Sequence, residues 1–254
     1  MAKLYSKRIQ IAPVGFEIDR VVIPAKKEKA EKVYLLVHKN ITEENYSVHK
    51  KYYTEIQKKL EAARIETELV YCDWQNIEEI TRVARDLILK EADSEIAINL
   101  ASGSKNHAIG LDRACMTVRK RENIHPFYPE AKKWNAGKYP HQQSEGVKRI
   151  KQVPIHRIIV PEPELIEALK IIERDAVDIP TRKGMKGVKK KDLAKALYGD
   201  SSKVNLTKLQ RNITQKLGKT WRAVEIIQVG QSDWISLTDE GKYLRYVLKN
   251  EETY

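Results

Sequence analysis

Short apolar runs alternate with amphipathic segments through the first half of the chain. An apolar run is typical of a parallel strand that is covered on both faces, and four such strands are predicted, at 8–12, 33–37, 65–71 and 95–100. Apolar residues at helical spacing predict helices at 43–63, at 76–91 and after Ser104. Another helix is predicted from Glu17, and Pro24 would interrupt it or mark its restart. Strands alternating with helices predict an α/β fold with a Rossmann-like parallel sheet.

The periodicity weakens from Arg119 to Pro154. Basic and aromatic residues alternate there, which is typical either of a nucleic-acid surface or of an irregular excursion anchored by Trp134 and Tyr139. A last strand is predicted at 155–160. Pro161 and Pro163 then mark a boundary. We therefore expect two domains, residues 1–160 and 162–254.

The second domain begins with a predicted helix at 162–175 and a Gly- and Lys-rich loop at 178–191. Two helices follow, at 192–198 and 205–217, and Gly218 is expected to end the second. A hairpin is predicted over 223–237, and Thr238 is expected to cap a last helix. Two helices joined by a short turn, then a hairpin and a helix, predict a winged helix-turn-helix.

Composition narrows the function classes. The 254 residues carry a net charge of +12, which favours an anionic partner. No apolar run reaches the roughly 18 residues of a membrane span. Cys72 and Cys115 lack metal-ligand spacing and the six His residues form no recognisable metal motif, so we expect no metal and a cytoplasmic protein.

The fourth predicted strand ends in a small-residue turn that opens a helix. Such a turn directs backbone N–H groups and the positive end of the helix at one point, which suits a phosphate. Lys105 and Asn106 would add a cation and an amide. The alternative is that Gly103 only turns the chain and Lys105 is solvated. The dinucleotide and Walker fingerprints are both absent, which argues against an NAD enzyme and an ATPase.

One face of the predicted helix at 205–217 and the residues just after it are rich in cations and amides. Arg reads guanine, Asn and Gln read adenine, and Lys neutralises phosphate. Residues 181–254 carry 16 Lys and Arg against 8 Asp and Glu, a net +8. The alternative is an ordinary solvated surface. The expected DNA-binding residues are Lys208, Arg211, Asn212, Gln215, Lys216, Lys219 and Arg222.

The stretch Asn99-Leu-Ala-Ser-Gly-Ser-Lys-Asn106 and the first turn Pro13-Val-Gly-Phe16, with a winged helix after them, resemble the archaeal CARF (CRISPR-associated Rossmann fold) regulators. The resemblance implies a homodimer that binds a cyclic oligoadenylate, with cyclic tetra-adenylate the expected ring. It also implies a DNA-binding transcription regulator linked to CRISPR defence, with no other cofactor. Carried over by motif, the ligand-binding residues are Pro13, Val14, Gly15, Phe16, Ser102, Gly103, Ser104, Lys105 and Asn106.

Some members of that family cleave the ring without a metal. A ribose 2′-OH attacks its own phosphate, and a Lys or Ser stabilises the developing charge. Ser104 and Lys105 would have that role here. No strong general base is evident, since His107 lies past the turn. We therefore expect a regulator without catalytic residues, and the ring nuclease is the alternative. A purely structural protein would not explain the Gly/Ser/Lys turn.

Overall fold

The computed structural model describes residues 6–41, 47–118, 122–135, 142–155, 160–180 and 182–248. The chain forms two compact units, Met1–Ile159 and Val160–Tyr254. In the described parts of the chain, no helix is both long and apolar enough to cross a bilayer.

The first unit is a six-stranded sheet with helices on both faces, which confirms the predicted α/β class. Its sheet has the order β3-β2-β1-β4-β5-β6, in which the first five strands are parallel and β6 runs antiparallel to β5. The strands are β1 Arg8–Pro13, β2 Lys32–His38, β3 Glu66–Cys72, β4 Glu95–Asn99, β5 Ile124–Trp134 and β6 Ser144–Gln152. The helices are α1 Asp19–Lys27, α2 Ser47–Glu61, α3 Ile77–Lys90 and α4 Lys105–Met116.

Apolar side chains alternate between the two faces of the central strands. Ile9 and Ile11 of β1 pack in the cluster formed with α3 and α4, whereas Val33 and Leu35 of β2 pack in the cluster formed with α1 and α2. Both faces are therefore buried, as a parallel sheet requires.

Helix α1 runs through Pro24 without interruption, which corrects the expected break. Proline has no N–H to donate to the carbonyl four residues before it, which belongs to Arg20. The side-chain amide of Asn99, at the end of β4, donates to that carbonyl at 2.8 Å. A buried side chain from the sheet thus replaces the missing helical hydrogen bond.

The sheet is completed by β5 and β6, which lie where an irregular segment was predicted. Two prolines, Pro126 and Pro129, interrupt the strand pattern of β5, and β6 is largely polar. A register shift between Glu130 and Ala131 breaks the alternation further. Trp134 is 61% exposed, so the anchor predicted there is wrong. Ile155 and Val160 lie outside any strand, and the remaining residues of the strand predicted at 155–160 and Tyr139 lie outside the described residues.

The second unit combines helices with a small sheet of order β7-β8-β10-β9. Its strands are β7 Val177–Asp178, β8 Lys186–Lys189, β9 Val224–Val229 and β10 Ser232–Leu237. Its helices are α5 Pro163–Arg174, α6 Lys190–Tyr198, α7 Lys203–Leu209 and α8 Asp239–Val247, and α7 continues through π-type turns at Gln210–Thr214 and Lys216–Thr220.

Two predicted boundaries in the second unit are wrong, while the hairpin and the Thr238 cap are confirmed. The predicted loop at 178–191 contains β8, a strand too short and too rich in Lys and Gly to show a pattern. Gly218 does not end the helix but lies within its last π-type turn. The left-handed residue that follows the helix is Arg222, with φ of 49°.

Candidate functional site

The ends of β1 and β4 meet at the carboxyl edge of the sheet. These strands are neighbours, although the first connects to β2 on one side and the second to β5 on the other. Such a reversal of strand order leaves a crevice between the two following loops, where ligands bind in open α/β sheets. The two predicted turns, Pro13–Glu17 and Ser102–Asn106, lie at this point.

The two turns touch through glycine. A Cβ atom on Gly15 would lie 2.6 Å from the backbone nitrogen of Gly103. Gly103 has a φ of +80°, and a Cβ on it would lie 2.8 Å from the Pro13 Cβ and 2.9 Å from His107 Nδ1. Only glycine allows this approach without displacing backbone. The turn after β4 is therefore packed against the loop after β1, which the alternative of a simple chain reversal at Gly103 does not require.

A buried amide holds the start of the second turn. Asn99 is fully buried, and its Oδ1 accepts from the backbone N–H of Ala101 at 3.0 Å while its Nδ2 donates to Arg20. One side chain therefore links the turn after β4 to the first turn of α1.

Ser104 caps α4 together with His107. The backbone N–H of Ser104 donates to His107 Nδ1 at 3.1 Å, and Ser104 Oγ lies 2.9 Å from the same nitrogen. The His107 N–H donates back to Ser104 Oγ, which completes a capping box. Because Nδ1 accepts from a backbone amide, the proton of the neutral ring is on Nε2.

His107 was missed as a member of the site, although the Ser-x-x-His spacing is that of a capping box. Its side chain is fully buried. Burial lowers the pKa of His107 to about 3, and the nearby His38 and His49 act in the same direction. The imidazole is therefore neutral at ordinary pH and serves as an acceptor that shapes the turn.

The capping box determines which donors remain for a ligand. The N–H groups of Ser104 and His107 are used within the cap, whereas the first helical N–H groups, those of Lys105 and Asn106, have no partner within α4. Lys105 is exposed and has no ion-pair partner among the described residues. The Asn106 side chain donates to the Trp74 carbonyl at 3.0 Å, so its amide is engaged by the protein.

The other predicted ligand residues differ in accessibility. Val14 is fully buried in the apolar cluster under α1 and α2, and Pro13 and Gly15 are buried as well. Phe16 is half-buried, with its ring 4.4 Å from His49. Ser102 is 1% exposed, and its Oγ has no hydrogen-bond partner in the described structure. The second turn thus presents Gly103, Ser104 and Lys105 to solvent.

Three imidazole rings pack around the indole of Trp74, which follows β3. The Trp74 ring lies 5.4 Å from His38, 4.6 Å from His49 and 5.3 Å from His107. Burial lowers the pKa of His49, and His38 adds to that effect. Among the described residues, no group of three or more His, Cys, Asp or Glu could hold a metal ion.

In the second unit, one helix carries the predicted DNA-binding residues. Leu209, Ile213 and Leu217 are fully buried, as the inward face of α7 and its π-type turns. On the outer face, Arg211 Nε donates to Asn212 Oδ1 at 3.3 Å, and Lys216 pairs with Glu162 at 3.4 Å. The exposed members of the predicted set are Lys208, Arg211, Gln215, Lys216, Lys219 and Arg222, and Asn212 is half-buried.

The chain is similar to one curated protein and to several solved structures. It is 28% identical over 189 residues to "Uncharacterized protein MJ1513" of Methanocaldococcus jannaschii, which covers 65% of this chain and 56% of that protein. The chain thus spans just over half the length of this relative.

Two solved structures show weaker likeness. Can2 from Sulfobacillus thermosulfidooxidans in complex with cyclic tetra-adenylate has a TM-score of 0.43 and 12% identity, covering 94% of this chain and 63% of that one. Enterococcus italicus Csm6 bound to cyclic hexa-2′-fluoro-hexa-dAMP has a TM-score of 0.42 and 15% identity, covering 50% and 33%. Both TM-scores lie below 0.5, and we base no conclusion on these likenesses.

A family profile described as "HFX_2341_N:-like, N-terminal" matches residues 8–134, which is half of the chain. The matched region runs from β1 to the end of β5 and includes both turns of the site. The chain belongs to this family.

Proposed function

We propose that the first unit binds a cyclic oligoadenylate at the two turns and that the second unit binds duplex DNA in response. The protein would be a CRISPR-linked transcription regulator. The observation that carries the proposal is the contact between Gly15 and Gly103, which brings both loops of the strand-order reversal and the start of α4 to one point.

The donors at this point suit a phosphodiester. The backbone N–H groups of Lys105 and Asn106 point along the helix axis, at its positive end, and the Lys105 ammonium adds a full charge. A phosphate takes several such donors at once, whereas a neutral ligand would leave the Lys105 charge unused.

A two-fold axis would double these donors, which suits a ring with repeated phosphates. Ile109 lies one helical turn after Lys105 and is 43% exposed, so an apolar side chain is available beside the cation. We propose a homodimer in which α4 of each protomer contributes to a shared ligand surface.

The second unit is proposed to be a winged helix-turn-helix. Support comes from the order of its elements, in which α5, β8, α6 and α7 precede the β9–β10 hairpin, and from the pairing of β8 with the hairpin through β10. The basic outer face of α7 and its π-type turns would lie in the major groove.

The test measures ring binding by titration calorimetry on the full chain, with cyclic tetra-adenylate and cyclic hexa-adenylate as probes. One charged hydrogen bond contributes about 1.5–3 kcal/mol, so Lys105→Ala should lose about 10-fold to 100-fold in affinity for each copy that touches phosphate. Lys58→Ala removes an exposed lysine from α2 and should bind as the wild type does. Failure of the wild type to bind either ring would overturn the proposal.

Ring cleavage is the second candidate, and the exposure of Ser104 and Lys105 side by side at the start of α4 favours it. His107 Nδ1 is an unprotonated nitrogen 2.9 Å from Ser104 Oγ, next to the Lys105 charge. Its low pKa makes it a weak base, so Ser104 and Lys105 would act by stabilising charge while the ribose 2′-OH attacks. Chromatography of the ring after incubation separates the two candidates, because a regulator without nuclease activity returns the ring intact.

A further inference from the structure

A buried arginine covered by two aromatic rings lies beside the first turn. Arg20 is 2% exposed, pairs with Glu17 at 2.9 Å and donates from Nε to the Pro129 carbonyl at 2.8 Å. Its guanidinium carbon lies 4.9 Å from the centroid of the Tyr128 ring and 5.2 Å from that of the Trp134 ring. In the described part of the chain, Arg20 Nη2 has no hydrogen-bond acceptor.

Trp134 is 61% exposed although it contacts this cation. A tryptophan is usually among the most buried residues of a domain, because its ring loses much apolar surface to the core. Here the ring is fixed by a cation–π contact and still offers most of its surface to solvent. An exposed aromatic ring in fixed geometry is the platform on which nucleic-acid-binding proteins stack bases.

Hydrogen bonds hold this part of the sheet against the proposed ligand site. The Gln143 N–H donates to the Phe16 carbonyl at 3.0 Å, within the first turn. Ser144, which pairs with Trp134 across the two strands, donates to Glu17 at 2.6 Å. The end of β5 that carries Trp134 is thus tied to the loop that touches Gly103.

We propose that Trp134 is a base-stacking subsite for an adenine of the bound ring. This inference rests on the proposed function, in which the turn at Gly103 binds the phosphates of the ring. It adds a binding site for the base. The exposed ammonium of the neighbouring Lys133 also favours an anionic nucleotide over an apolar partner. A docking surface for a second protein is the competing interpretation of the same exposed ring.

The experiment titrates cyclic tetra-adenylate into the full chain and its variants. Trp134→Ala should bind the ring about 10-fold to 100-fold more weakly, the range expected for one stacked base. Trp134→Phe should stay within a few fold of the wild type, since it keeps a π face. Trp134→Phe should also lose most of the tryptophan fluorescence quenching that cyclic tetra-adenylate causes in the wild type. Tyr71→Ala, which removes a 53% exposed ring from β3, is the control and should bind normally.

The outcomes separate this inference from the proposed function. If the wild type binds no ring, the proposed function fails and the subsite with it. If the wild type binds and Trp134→Ala binds equally well, only the subsite is wrong. If Trp134→Ala keeps ring affinity and changes the oligomeric state in light scattering, the exposed ring is a protein contact instead. Trp134→Phe keeps a ring over Arg20 and should therefore keep the wild-type melting temperature.

Discussion

The buried His107 makes the stability of the folded protein depend on pH. Its pKa falls from 6.5 to about 3 in the folded protein because the ring is buried. Between those values the unfolded chain binds a proton that the folded chain does not, so the stabilisation is complete above pH 6.5 and is lost as the pH falls towards 3.

We expect His107→Gln to flatten this dependence. Glutamine at this position keeps the capping box, because its side chain can accept from the Ser104 N–H. Urea denaturation of the wild type should show a free energy of unfolding that falls between pH 6.5 and 4, and the fall should be smaller in the variant. His49 remains in both proteins and keeps part of the slope. If the free energy of unfolding falls equally steeply with pH in the wild type and in His107→Gln, the low pKa assigned to His107 is wrong.

Gly103 and Gly184 form a matched pair at the residue scale. Both have a φ of +80°, but a Cβ on Gly184 meets nothing within 4 Å, whereas on Gly103 it meets Pro13 and His107. Alanine at either position adds a strain of about 1 kcal/mol. Gly103→Ala should destabilise the protein further because Pro13 and His107 must move. Thermal unfolding measures both variants, and equal losses would show that the contact with Pro13 carries no energy.

At the scale of elements, α1 and β4 depend on one another through Pro24 and Asn99. Asn99→Ala leaves the Arg20 carbonyl buried without a donor, which costs about 1–3 kcal/mol. Pro24→Ala restores a backbone N–H at the helical position for that carbonyl. In the Pro24→Ala background, Asn99→Ala should therefore cost less, with a coupling energy of about 1 kcal/mol in a double-mutant cycle. Additive losses would mean that the helix does not need the amide.

The DNA contacts that we propose for the outer face of α7 and its π-type turns are of two kinds, to phosphates and to bases. Lys208→Ala should weaken binding to all duplexes and reduce the slope of log K against log salt by about 0.9. The double variant Arg211→Ala/Asn212→Ala should instead relax sequence preference, by about 1–3 kcal/mol for each bidentate contact. Lys242→Ala on α8 is the control. Filter binding at several salt concentrations measures the DNA affinity of all three variants. If the double variant keeps the sequence preference of the wild type, this helix does not recognise the DNA bases.

At the scale of the whole molecule, the ligand surface that we propose for two copies of α4 would require a dimer. Ile109 on α4 and Ile226 on β9 are similarly exposed, at 43% and 46%. Ile109→Arg should shift the protein towards monomer and weaken ring binding, because it places a charge where two α4 helices would meet, whereas Ile226→Arg should leave the ring affinity unchanged. Light scattering at micromolar concentration, with and without cyclic tetra-adenylate, measures this. A monomeric wild type under both conditions would contradict the dimer.

The sequence by itself determined the elements whose residues are buried in a regular pattern. The first four parallel strands, β1 to β4, helices α2 to α4 and the inward face of α7 all follow from periodicity, because their packing repeats along the chain. The turn at Gly103 also follows, since glycine and serine after an apolar strand have few other uses.

Only the tertiary structure decided what depends on residues distant in sequence. The helical path through Pro24 needs an amide from β4. The strand β5 contains two prolines and pairs with the largely polar β6 through backbone groups, which leave no regular side-chain pattern. The buried state of His107 and the exposed state of Trp134 depend on neighbours that no local pattern specifies. For the same physical reason, the contact of Gly15 with Gly103 became visible only once the sheet had brought two distant loops to the same edge.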